Sequence, residues 1–376
     1  MNGNRRGRKL TVALALVLAV AAAPTGATPP ITVTPLPGGP AVASATLLVE
    51  YATADESGVP VPASGLVYLP RGAAPAGGWP VVSWGYGTAG VGDHCAASVR
   101  LRAGEPPTQA AAISAPAIAA MLNQGYAVAA TDYAGLGTPG PHHYLSAVAE
   151  GNAVIDIVRA ARAADSRIGT AWASAGHSQG GQAALMAGRL ADTAAPELDF
   201  RGTVAFAPET TAEYGLSLLG PELPPGQLLS SVSSLLVYLL HGLRSARPDL
   251  PVNDYLSPLG RAAVDAAESR CATEQRAALD GVPPRALLAR PLADPPFAAA
   301  LHAYMGLPGT GWTHSVRVLH GTADQVVPLP LNLAFTTALR AAGADVELDI
   351  RPGVDHFGIV DAGLPAMLAN LQTVLD

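Results

Sequence analysis

The hexapeptide Gly176-His177-Ser178-Gln179-Gly180-Gly181 constrains this chain more than any other stretch. Before it, Thr170 to Ala175 is a run of small and apolar residues; after it, Gln182 to Leu190 is rich in Ala, Leu and Met. The pattern is a strand, a sharp turn and a helix. A G-x-S-x-G turn of this kind projects its serine hydroxyl clear of a sheet, because flanking glycines remove the Cβ atoms that would collide across the bend. Chance occurrence in a chain with 40 glycines is the bland alternative, and the surrounding pattern has to outweigh it.

That pattern extends along most of the chain. Ala45 to Ala52 and Ser64 to Leu69 read as strands, separated by Val59-Pro60-Val61-Pro62, which reads as a breaker. Trp79 to Trp84 is a strand leaving through Gly85-Tyr86-Gly87-Thr88-Ala89-Gly90, a loop that can aim backbone N–H groups at a substrate oxygen. Ala110 to Asn123 and Ala147 to Ala164 have helical spacing, and Tyr126 to Tyr133 and Phe200 to Pro208 read as buried strands. Val316 to His320, Leu329 to Ala342, Val346 to Arg351 and Leu364 to Leu375 resume the alternation as strand, helix, strand and helix. Alternating strands and helices imply an α/β fold: a mostly parallel central sheet, helices on both faces, and ligands outside the carboxyl ends of the strands.

From Glu209 to Thr313 the rhythm breaks into helical pieces separated by prolines, which reads as an inserted helical cap. Within it, Leu228 to Leu243 is apolar on more than one face. Such a helix is either sandwiched between cap and core, or lines an acyl-chain groove or meets a lipid interface. The expected organisation is a signal segment over 1–27, a Pro/Gly-rich linker over 28–44, a core over 45–208 and 316–376, and the cap over 209–315.

The first segment has Arg5, Arg6, Arg8 and Lys9 followed by the apolar run Leu10 to Ala23 and by Thr25-Gly26-Ala27, the layout of a secretory signal. An uncleaved anchor and twin-arginine export are the alternatives. Removing the segment takes the formal charge from −7 to −11, which disfavours nucleic acid and anionic membranes as partners. No membrane span is expected in the remainder. Lys9 is the only lysine, so the exported chain has no lysine amine for a Schiff base, a pyridoxal phosphate site, a Ser-Lys dyad or a P-loop. Cys95 and Cys271 are the only cysteines. In an exported chain an even pair far apart in sequence reads as a disulfide sooner than as a metal site or nucleophile. His94-Cys95 and His142-His143 are weak metal signals, and neither a metal nor a cofactor is expected.

A serine hydroxyl needs a base within hydrogen-bond reach, and the base needs a carboxylate to orient it. After Ser178, the segment His320-Gly321-Thr322-Ala323-Asp324 puts a carboxylate just past a strand, and Val354-Asp355-His356-Phe357 puts an imidazole just past the last one. The expected triad is Ser178, Asp324 and His356. Asp355 adjoins His356, which makes it awkward for it to bond the ring while that ring faces Ser178, so a surface or loop-capping role is expected for it. His177 is expected to pack beside the turn, His320 to hold the Asp324 loop, and His302 and His314 to play ordinary polar roles or touch substrate. Donors to a tetrahedral intermediate are expected from the N–H of Gln179 and from an N–H in the Gly87-Thr88 region.

These residues resemble the secretory lipase family of the α/β-hydrolase superfamily. The likeness is carried by Ser83 to Thr88 with Cys95 following, Thr131 to Gly137, Ala149-Glu150-Gly151, the Gly176 to Gly181 turn, His320 to Pro328, and Asp355-His356. It covers the chain from about Ala45 onward and is loosest in the cap. The resemblance implies hydrolysis of acylglycerols and related lipid esters, a helical lid, an oxyanion donor at the position of Thr88 and a disulfide between the positions of Cys95 and Cys271. A peptidase or amidase on the same fold, and a catalytically silent lipid-binding protein, are the competing expectations.

Overall fold

The computed structural model describes residues 31–222 and 230–376. The signal segment over 1–27 and the first two residues of the apolar stretch Leu228 to Leu243 lie outside the described residues. Among the described residues nine strands form one sheet: β1 Thr32–Leu36, β2 Ala45–Ala54, β3 Pro60–Leu69, β4 Trp79–Gly85, β5 Ala127–Ala134, β6 Ile168–His177, β7 Asp199–Phe206, β8 Ser315–Gly321 and β9 Val346–Arg351. Their spatial order is β1-β2-β3-β5-β4-β6-β7-β8-β9. The pairs from β1 through β5 are antiparallel, and every pair from β5 to β9 is parallel.

Two sequence expectations differ here. The stretch read as a linker contains β1, which pairs with β2 from Thr32↔Glu50 to Leu36↔Thr46. Pro60 and Pro62, read as breakers, open β3. They are tolerated because β5 pairs with β3 only from Ala63 onward, so the proline nitrogens face no neighbouring strand. The carbonyl of Pro62 on that side accepts instead from the Thr138 hydroxyl at 3.0 Å.

Helices follow the strands. α1 Ala97–Ala103 and α2 Gln109–Asn123 connect β4 to β5, α3 Ala147–Ala164 connects β5 to β6, and α4 Gln179–Ala194 connects β6 to β7. α5 Ala212–Leu216, α6 Ser230–Ala246, α7 Pro258–Asp265, α8 Ala272–Ala278, α9 Pro284–Leu287 and α10 Pro295–Met305 lie between β7 and β8. α11 Leu329–Ala341 and α12 Ile359–Leu375 close the chain. The last helix starts five residues before the sequence expectation; Ile359 and Val360 are buried in the core it helps form. Among the described residues no helix is long and apolar enough to cross a membrane.

Successive residues of a strand point to opposite faces, and the central strands are apolar on both. Val81, Ala129 and Trp172 pack against Val154 and Ile157 of α3 and Ala183 and Ala187 of α4. Their neighbours Val82, Ala130 and Ala173 pack against Ile118 and Met121 of α2 and Met367 and Leu371 of α12. α11 joins the α4 side through Phe335 and Leu339. The helices between β7 and β8 have a core of their own, built around Leu236, Tyr238, Leu239, Leu240 and Leu243 of α6 with Val264, Leu287, Phe297 and Leu301.

Strand order reverses at β4. The chain passes from β4 to β5 on one side, then crosses back to β6 on the other. At such a reversal the loops leaving adjacent strands part to opposite faces and open a crevice at the carboxyl edge. The loops that open here follow β4 and β6, the two that carry Gly87-Thr88 and Ser178.

Candidate active site

Ser178 joins β6 to α4 with φ 57° and ψ −121°, a region that L-residues rarely occupy. Such strain persists only where the surroundings over-determine it. Here Ser178 N–H donates to the Phe206 carbonyl at 2.8 Å, and its own carbonyl accepts from Gly181 and Gln182 at the start of α4. The glycines are steric necessities: a Cβ on Gly180 would lie 2.0 Å from the Gly85 carbonyl oxygen, and one on Gly176 would lie 2.1 Å from that of Gly180. The turn is thereby pressed against the exit of β4.

Ser178 Oγ lies 3.0 Å from His356 Nε2, and His356 Nδ1 lies 2.7 Å from Asp324 Oδ2. A carboxylate can only accept, so Nδ1 carries the hydrogen and Nε2 is left to accept from the Ser178 hydroxyl. All three side chains are buried or nearly so. The Asp324 carboxylate is fixed at both oxygens, since Oδ1 accepts from the backbone N–H groups of Val326 at 2.8 Å and Val327 at 2.9 Å. Burial pushes its pKa up, but the His356 hydrogen bond and charge, with the two backbone donors, outweigh this and hold it below the ordinary carboxylate value. The three residues expected from the sequence are thus brought together in the order nucleophile, imidazole, carboxylate.

The neighbouring histidines have distinct places. His177 donates from Nε2 to the His356 carbonyl at 2.8 Å and packs its ring 4.7 Å from that of His356. Burial, then the charge of His356, pull its pKa down to about 3, so it stays neutral beside the triad. His320 donates from Nε2 to the Val327 carbonyl at 3.0 Å and accepts at Nδ1 from Asn332, clamping the Asp324 loop onto α11. Asp355 caps its own loop by accepting from Gly358 N–H at 2.7 Å. His314 pairs with Asp192 on the surface at 2.8 Å, and His302 lies 4.0 Å from Glu213.

A cavity of about 120 Å³ opens onto Ser178 and His356, lined also by Gly87, Thr88, Leu235, Val326 and Phe357. Thr88 is held by a 2.7 Å hydrogen bond between its hydroxyl and that of Tyr144. Gln179 stands first in α4, where helix N–H groups lack intrahelical partners and the helix dipole is positive. Cys95 and Cys271 form a disulfide. Beside it the Ala272 N–H donates to the Ala89 carbonyl at 2.8 Å, so α8 is tied to the loop that carries Thr88. His94 sits next to this bond, but the two sulfurs, joined to each other, offer no thiolate to a metal.

Sequence reasoning missed the polar group beneath the turn. The Gln179 side chain donates to Glu150 Oε1 at 2.7 Å and to His142 Nε2 at 3.0 Å. Glu150 Oε1 also accepts from Leu145 N–H at 2.8 Å, and His142 donates from Nδ1 to the Ala134 carbonyl at 2.9 Å. Burial raises the Glu150 pKa to about 8 and lowers that of His142 to about 4, so both are neutral at pH 7. An acid in the first turn of a helix reads as an ordinary dipole partner, and only its neighbours across the fold reveal the link to Gln179.

A mostly parallel sheet whose carboxyl edge presents a serine turn, a carboxylate after β8 and an imidazole after β9 defines the α/β-hydrolase class. Residues 102–274, which include Thr131 to Gly137, Ala149 to Gly151 and the Gly176 to Gly181 turn, match the model of the secretory lipase family. The structure is similar to the closed state of Candida antarctica lipase A, at 19% identity over 93% of this chain and 82% of that one, with a TM-score of 0.78. It is also similar to the rice cell wall degrading esterase LipA of Xanthomonas oryzae, at 19% identity over 88% and 90% of the two chains, with a TM-score of 0.71. Identities this low speak for the fold. Comparison with curated proteins finds no match.

Proposed function

We propose that the protein is an exported serine hydrolase that cleaves carboxylic esters of lipids through an acyl-enzyme. The observation that carries this reading is the continuous hydrogen-bond chain from Ser178 Oγ through His356 to Asp324. His356 Nε2 takes the hydroxyl proton as Ser178 Oγ attacks the ester carbonyl, and the imidazolium formed is stabilised and oriented by Asp324. The tetrahedral oxyanion is received by the N–H of Gln179 and by an N–H of the Gly87-Thr88 segment. His356 then returns the proton to the departing alcohol. Water, deprotonated by the same nitrogen, clears the acyl group from Ser178.

The lining of the cavities supports a lipidic acyl group. Leu235 and Val326 are shared between the cavity at Ser178 and a second one of about 230 Å³, whose walls are almost wholly apolar. An acyl chain bound at Ser178 would run from one into the other past these two residues. Leu236, Leu239 and Leu243 of α6 are buried in the cap core, and Leu235, Leu236 and Leu239 also line the second cavity, which supports the acyl-groove reading of this stretch. Tyr214 in α5 and Leu218 just after it are exposed, which supports contact with a lipid interface. The disulfide supports export.

The test is a comparison of rates on p-nitrophenyl esters of graded acyl length with rates on aminoacyl p-nitroanilides. Rates on esters that rise with acyl length, and none on the anilides, are expected. Preference for the anilides would assign the triad to amide hydrolysis instead.

A further inference from the structure

The second cavity is apolar with one exception. Glu209 leaves the carboxyl edge of β7, the strand beside the one that carries Ser178, and its side chain lines this cavity among Leu145, Leu216, Leu235, Leu239 and Leu331. It is 7% exposed. Its backbone surroundings are fixed: Asn332 donates to the Pro208 carbonyl at 3.0 Å and accepts from the Thr210 hydroxyl at 3.0 Å. Among the described residues, however, no donor or acceptor engages the Glu209 carboxyl itself. Burial, then the negative charges of Asp324 and Glu213, raise its pKa to about 8, so it is a neutral acid at pH 7.

A carboxyl in an apolar wall costs stability unless something pairs with it. A neutral carboxyl offers one O–H donor and one carbonyl acceptor, the complement of a hydroxyl group. No side chain among the described residues supplies that complement, and the cavity shares Leu235 and Val326 with the one at Ser178.

We propose that Glu209 sets acyl specificity: the cap cavity takes an acyl chain bearing a hydroxyl partway along its length, and the Glu209 carboxyl hydrogen-bonds that hydroxyl. The inference rests on the reading of Ser178 as the acylated nucleophile. A plain alkyl chain fills the same volume but leaves the carboxyl unpaired in a place water has left. A site built around a polar group discriminates against the analogue lacking the partner, because the buried group is then stranded. One neutral hydrogen bond is worth about tenfold in relative specificity.

The experiment measures kcat/KM for p-nitrophenyl dodecanoate and for its monohydroxylated isomers, with the hydroxyl moved along the distal half of the chain. Wild type, Glu209→Gln and Glu209→Leu are compared. The wild type is expected to favour at least one hydroxylated isomer about tenfold over the plain ester. Glu209→Gln keeps that ratio, since an amide both donates and accepts, and Glu209→Leu inverts it. A wild type indifferent to the hydroxyl at every position overturns the proposal, as does an unchanged ratio in Glu209→Leu. A wild type that hydrolyses neither these esters nor p-nitrophenyl acetate contradicts the reading of Ser178 itself.

Discussion

Replacing Glu150 by Gln isolates the energetic role of the buried acid under the turn. Glu150 is 2% exposed, and its Oε1 accepts from Gln179 and Leu145. A neutral acid and an amide can both present that acceptor oxygen in the same place, so the substitution keeps the contacts and removes only the titration. Burial raises the Glu150 pKa from 4.5 to about 8 in the fold. Between those values the folded protein holds a proton that the unfolded chain has released, so wild-type stability falls as pH rises from about 4.5 to about 8 and is level in this respect beyond. At about 1.4 kcal/mol per unit, the full span is on the order of 5 kcal/mol. The unfolding entropy of a chain this long is about 0.7 kcal/mol/K, so the span corresponds to roughly 7 °C in Tm. Thermal unfolding by circular dichroism across pH 5 to 9 reads the difference directly. The variant is expected to match wild type near pH 5 and to exceed it by several degrees at pH 9, with other titrating groups cancelling between the two. Parallel curves would refute the claim that Glu150 is held neutral in the fold.

Two further substitutions probe the site and its covalent tie. Asp324→Asn removes the acceptor that fixes the Nδ1–H tautomer of His356, and kcat on a short ester is expected to fall by about 10³ to 10⁴ with a folded circular dichroism spectrum; a loss below tenfold contradicts the assignment. The Cys95 to Cys271 bond spans 176 residues. Chain entropy puts its contribution at up to about 5 kcal/mol, so the double serine variant should lose roughly 3 to 7 °C in Tm, and a shift within about a degree would show that the bond constrains nothing.

Local pattern carried most of the sheet and the juxtaposition of Ser178, Asp324 and His356 because each of these residues follows a strand, and strands with their exit loops are marked by short apolar runs and glycines. Ser178, Asp324 and His356 needed no long-range information beyond chain order. The breaker at Pro60 and Pro62 failed because whether a proline disrupts a strand depends on which neighbour it faces, and that is decided by β5, more than sixty residues later. β1 was missed since its proline- and threonine-rich stretch gains its pairing only from β2. The roles of Glu150 and Glu209 were illegible for a related reason. One is ordinary as a first-turn acid and the other as a loop residue, and both become distinctive only through burial. In the cap, where prolines divide short helices, the apolar pattern of α6 marked a buried helix, but its division between core and cavity depended on packing partners distant in sequence.

The central claim is that Ser178 is acylated and cleared by water. Mass spectrometry of the intact chain after treatment with a fluorophosphonate, alongside p-nitrophenyl ester hydrolysis, tests it in wild type and Ser178→Ala. Wild type should gain one adduct on the peptide containing Ser178 and lose its activity in step, while Ser178→Ala gains no adduct and hydrolyses at least 10³-fold more slowly. Labelling elsewhere, or an unaltered rate in Ser178→Ala, would contradict the account.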